Sequence, residues 1–305
     1  MTSRPSRISG IACNWIGVGE FGEILRWSQT VIDLAAGDPA KGAGFGIGSP
    51  LAIALTYRGI ARWWLGRPGW RQDLHDAVAM ARHSTPTTLA AVVTWTYSWA
   101  IHYGVLRADD SAVRAIEEAV QIAEATSNDV ALGVAKYGLG GVLLYRDAAA
   151  DRHRGLELMM QFRDMSLRKQ VGQQMAPVTD LWAARERAKR GDRDAAIAVM
   201  RQAVNELHQA GRPFFGVWGT GIVVETLLER GAEGDVSEAQ EAIDRLANLP
   251  ADEGWAMCEI TLLRLRALLS RARGDNVAYR DLVNRYRAMA ESLGFEGHNA
   301  MAEAM

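Results

Sequence analysis

The chain has 305 residues, with 34 basic and 36 acidic side chains, a formal net charge of −2 and a pI near 6.3. That balance excludes the basic electrostatic footprint by which nucleic-acid-binding domains neutralise phosphate. Two cysteines, Cys13 and Cys258, supply neither a disulfide framework nor a zinc site, and a reducing cytoplasm is the compartment they suggest.

In chain order, Arg4 and Arg7 precede an apolar stretch from Ile8 to Val18, but Asn14 and several glycines interrupt it, so it does not read as a secretory leader. Residues 1–10 are expected to be a flexible N-terminus and 11–305 one helical-repeat domain. Glu20 to Ala36 reads as a helix, with Gly17 to Gly19 as the turn before it. A partner helix would have to fit within residues 8–16, so the first unit is expected to be incomplete. Gly37 to Ser49 is a glycine-rich loop. From there the pattern becomes periodic. Gly66, Arg107, Asp147, Gly191, Gly231 and Gly274 each separate two apolar helical runs, at intervals of 41, 40, 44, 40 and 43 residues. A fixed period of this size is the mark of stacked helical hairpins.

Pro50, Pro86, Pro177, Pro213 and Pro250 each stand just before a long apolar run, where a missing N–H costs a helix nothing. The third unit lacks the proline and is expected to start at the N-cap Asn128–Asp129. The first helices, Leu51–Leu65, Leu89–Leu106 and Val130–Tyr145 among them, are apolar on several sides, as sandwiched helices must be. They hold many small residues, including Gly59, Gly133, Gly138, Gly140 and Gly141. Each helical glycine costs about 1 kcal/mol relative to alanine, which close helix–helix approach would offset. Ser84 to Leu106 holds no charged residue across 23 positions, but its proline, threonines, serines and histidine fit a buried helix better than a membrane span. The second helices show single stripes: Val113, Ile116, Ala119, Val120 and Ala123; Ala196, Val199, Met200, Ala203, Val204 and Leu207; Tyr279, Leu282, Val283, Tyr286, Met289, Ala290 and Leu293. The fold class expected is all-α: a superhelical, tetratricopeptide-like (TPR-like) α-solenoid of six hairpins plus an incomplete N-terminal unit.

Motifs that would carry chemistry fail on context. Gly17-Val18-Gly19-Glu20-Phe21-Gly22 matches G-x-G-x-x-G, but no strand precedes it, and no kinase lysine or DFG segment follows. Gly42 to Gly48 follows Lys41, the reverse of a P-loop's order. The six histidines include no pair at i,i+4 and no H-E-x-x-H, so no metal site is expected. Arg58, Arg62, Arg67 and Arg71 interleave with Trp63, Trp64 and Trp70. That pattern can hold single-stranded nucleic acid, but it fits packing tryptophans with arginines riding outside better. If the first helices line a concave face, Arg58, Tyr97, Lys136 and Trp182 are the candidates for ligand or partner contact there. No catalytic residue, metal or cofactor is assigned.

Arg187–Ala198, Val224–Asp235, Leu263–Leu269, Tyr279–Val283 and Ser292–His298 resemble one family, and Ile47–Leu55 and Gly66–Trp70 fit it too. The sequence is similar to the C-terminal helical-repeat region of actinobacterial signalling proteins in which a class III adenylate cyclase domain and a STAND-type ATPase domain precede the array. Some relatives carry a LuxR/MalT-like DNA-binding module instead. The resemblance runs from about residue 11 to the end, and its motifs are structural. It implies a cytoplasmic, non-catalytic scaffold or sensor arm that binds a protein partner or small effector, without contacting nucleic acid or membrane itself. The cyclase's metal-binding aspartates and the ATPase's Walker lysine have no counterparts here. Two alternatives stand beside it. One is an (α/α) toroid enzyme acting on a sugar or isoprenoid, with Asp180 and Glu225 as available carboxylates. The other is the sensor arm of a LuxR-type transcription regulator.

Overall fold

The computed structural model describes residues 15–45, 48–169, 175–249 and 254–305. Among them every regular element is a helix, and consecutive helices pack as hairpins. Residues 15–18 are helical; the rest of the partner expected for the first helix lies outside the described residues, as do Cys13 and Pro250. The helices are α1 (Phe21–Ala35), α2 (Pro50–Trp64), α3 (Trp70–Ala81), α4 (Pro86–Val93), α5 (Asp110–Ala125), α6 (Asp129–Leu143) and α7 (Ala149–Lys169). They continue as α8 (Ala176–Lys189), α9 (Arg193–Gln209), α10 (Pro213–Arg230), α11 (Asp235–Ala247), α12 (Ala256–Ala272), α13 (Asn276–Leu293) and α14 (Glu296–Glu303). All six expected turn positions fall between the paired helices.

Local chemistry sets the starts. Pro50, Pro86 and Pro213 occupy the first helical position, and Pro177 the second. Side-chain caps at Ser49, Thr85, Asp109, Asn128 and Asp275 accept the N–H three residues on, at 2.9–3.3 Å. These bonds satisfy amides that the helix itself leaves open.

The first helix of a pair is buried on most sides; α10 is buried from Phe214 continuously to Val224. The second buries a stripe, such as Ala239, Ala242, Ile243 and Leu246 of α11. Three details depart from the sequence reading. The stripe of α9 is turned toward Ile197, leaving Val199 exposed. The segment after α4 is π-helical over Thr94–Trp99, regains α-geometry at Ala100–His102 and ends there, short of Leu106, with Gly104 at φ 64°. A further helix, α14, follows Gly294, which caps α13 in the left-handed region at φ 66°.

The chain divides into two compact units. In the first, which holds α1–α7, α2 packs on α1, α3 and α4, while α4 lies against α5 and α6. An aromatic ladder fills the interior. Phe21 stacks on Trp64 at 4.7 Å, Tyr103 meets Trp63 and Trp64 at 5.5 and 5.1 Å, and Tyr137 lies 4.8 Å from Phe162. α6 and α7 approach backbone to backbone. A Cβ on Gly140 would sit 2.8 Å from the Gly155 carbonyl oxygen, and one on Gly155 2.8 Å from that of Gly140. The second unit holds α8–α14, with α10 against α8, α9, α11 and α12. Trp182 and Trp218 meet there at 5.0 Å, and His298 of α14 bonds the buried Tyr286 hydroxyl at 2.7 Å.

Bonds between neighbouring hairpins recur in both units. In the first unit they include Asn128 to Thr87, Thr94 to the Val134 carbonyl, Arg82 to Glu118 and Arg154 to Glu117. In the second they include Arg201 to Glu238, Arg230 to Asp194 and Arg264 to Glu225. Each joins residues 36–41 positions apart.

Candidate functional site

The residues singled out in the sequence are mostly taken up by packing. Arg58 reaches from α2 to the buried Asp73 of α3 with Nε at 3.0 Å and Nη2 at 2.7 Å, and bonds Gln29 at 2.9 Å. Arg62 joins the same carboxylate at 2.7 Å. Trp63 and Trp64 have no exposed surface, and Arg71 lies 4.4 Å over the Trp70 ring. The arginine–tryptophan pattern is thus a helix-to-helix clamp over an aromatic core. Tyr97 is half-buried, and that burial pushes its phenol above the ordinary range, with Arg82, Asp109 and Glu118 nearby. Lys136 lines a shallow, mostly apolar cleft between α6 and α7 with Leu132, Phe162 and Met165. Trp182 corrects the sequence reading: it has no exposed surface and packs on Trp218, so it offers no contact to a ligand. It also lies in the second unit, whereas the other three lie in the first.

Two glycines of the G-x-G-x-x-G match, Gly17 and Gly19, have packing roles. Gly17–Gly19 groups with the second unit. A Cβ on Gly17 would fall 2.5 Å from Arg212, and one on Gly19, at φ 84°, 2.8 Å from the Trp255 ring. Of the toroid pair, Glu225 is bound in the ion pair with Arg264. The Cys258 thiol is buried and pushed up to about 12 by that burial, which leaves it protonated and unreactive at neutral pH. Among the described residues no cluster of His, Cys, Asp and Glu could hold a metal ion, and no helix is long and apolar enough to cross a membrane.

One feature the sequence reading missed has the form of a site. In the second unit a half-open cleft of about 480 Å³ lies between α9 and α11, with α10 beneath. Arg201, Val204, Asn205 and His208 come from α9, Thr220 and Val223 from α10, and Ser237, Glu238, Glu241, Ala242 and Arg245 from α11. The volume falls within the range of small-molecule pockets. Arg201 and Glu238 neutralise each other in a bidentate pair, both bonds 2.5 Å. Burial, reinforced by the Arg245 charge, pushes the His208 pKa below the ordinary imidazole value, so the ring is neutral at pH 7. Thr220 is 3% exposed, and its hydroxyl has no hydrogen-bond partner among the described residues. Of α9 and α11, only the stripe of α9 was read from the sequence. The meeting of their polar flanks over α10 depends on hairpin packing. Neither a scan against protein-family models nor a search of curated proteins finds a match to this chain.

Proposed function

We propose that the chain is a non-catalytic binding module: a TPR-like helical array that acts as a regulatory or scaffold arm of a cyclase- or ATPase-linked signalling system. The observation that carries this reading is the recurrent bonding between hairpins. Arg82–Glu118, Arg201–Glu238, Arg230–Asp194 and Arg264–Glu225 tie charged side chains into the seams between hairpins. Stacked arrays of this kind present extended surfaces to partners. A partner or effector bound more tightly in one arrangement of the array would bias an attached or associated domain by that difference in affinity.

The test is capture of a cyclase–ATPase signalling protein by the purified chain, with nucleotide turnover followed as the chain is titrated in. Saturable capture and a change in turnover are expected. Unchanged turnover together with no capture would overturn the proposal, as would turnover of a sugar or isoprenoid substrate by the chain alone.

A further inference from the structure

The cleft between α9 and α11 is more specific than a scaffold surface requires. After Arg201 and Glu238 are paired, two charges on its rim remain: Glu241 and Arg245, which form no ion pair or hydrogen bond among the described residues. They are four positions apart on α11, so their side chains stand side by side with opposite sign. His208 faces Arg245 from α9. α10 contributes no charge to the cleft, only Val223 and the unpartnered Thr220 hydroxyl. A buried hydroxyl without a partner is unfavourable, and a ligand's polar group would relieve it. Arg245, Glu241, Glu238 and Arg201 are the charged groups that share the cleft with His208, and Arg245 is the one whose charge bears on the ring.

Resting on the reading of the chain as a binding module, we propose that this cleft binds a small zwitterion of the free amino-acid class, with its carboxylate on Arg245 beside His208 and its ammonium group on Glu241. Opposite charges on one helix face match a ligand that carries both signs close together; a bare anion would meet Glu241, and a bare cation Arg245. Val204, Val223 and Ala242 supply an apolar patch for a side chain, and Asn205, Ser237 and Thr220 supply polar contacts. A carboxylate on Arg245 offsets the positive potential on His208, so its pKa rises on binding.

The test uses the full chain. Free L-amino acids are titrated singly by calorimetry, beside their N-acetyl and amide derivatives and inorganic phosphate, while imidazole NMR follows His208. At least one free amino acid is expected to bind about tenfold or more tightly than either blocked derivative, and to raise the His208 pKa. Arg245→Gln and Glu241→Gln, both at the surface, are each expected to weaken it about tenfold without moving the melting temperature. Three results overturn the proposal: no free amino acid binds, phosphate or an N-acetyl derivative binds as tightly, or binding survives either substitution. Partner capture by the same variants is read separately, so loss of the ligand site and failure of the scaffold reading give different patterns.

Discussion

Gly140 and Gly155 show how a glycine that weakens a helix can hold two together. Each would drive a Cβ to within 2.8 Å of the other's carbonyl oxygen, and backbone cannot swing aside as a side chain can. Gly140→Ala is therefore expected to destabilise the first unit by about 1–3 kcal/mol, despite alanine's better helix propensity. Gly221→Ala, mid-helix in α10 and with its nearest contact at 3.9 Å, is expected to do the opposite, by up to about 1 kcal/mol. Paired urea titrations check both signs. The glycine richness of α6 already implied close approach in the sequence, but which glycine touches backbone depends on the rotation of α7. Asp73 was not legible as a key residue at all. The sequence offered the arginines and tryptophans around it, and only the hairpin brings one buried carboxylate between two guanidinium groups. Asp73→Asn leaves Arg58 and Arg62 without their counter-charge and is expected to cost about 2–4 kcal/mol by the same measurement.

At the scale of elements, starts were more legible than interiors. Proline and Asn128 announced their helices because caps act within three residues, so the signal is local. The π-helical stretch and α14 were not announced. The first lies in a uniformly apolar run where periodicity carries no phase, and the second is only eight residues, too short for a stripe to repeat. The turn from α10 to α11 has a clear pH signature. Arg230 bonds Asp235 at 2.5 and 3.0 Å, and the Ala232 amide donates to the same carboxylate at 2.8 Å. The Arg230 bonds above all, with the amide, hold the Asp235 pKa below the ordinary aspartate value. Because the folded pKa is depressed, the stability it contributes is full above about pH 4 and is lost as pH falls through the folded value. Urea midpoints measured between about pH 2 and 7 are expected to fall on the acid side, and Asp235→Asn is expected to flatten that fall.

For the molecule as a whole, the turn period was readable because each hairpin repeats one solution to burying its own apolar face, so the same punctuation returns. The cleft between α9 and α11 was not readable, since it arises where polar flanks of separate helices meet. Where each hairpin packs chiefly on its chain neighbours, stability is nearly a sum of local terms. Asp73→Asn is thus expected to lower native-state hydrogen-exchange protection within α1–α7, and Asp235→Asn within α8–α14; loss spread evenly over both would contradict this. The wide turn at Thr94–Trp99 bears on chain register. An ordinary helix rotates about 100° per residue, so that turn fixes the angular offset between everything before Thr94 and everything after Trp99 in the first unit. A π turn takes up one extra residue, so deleting a single residue there is expected to restore ordinary α pitch while keeping Tyr103 on Trp63 and Trp64. The least regular part of the helix is what keeps its two halves in step.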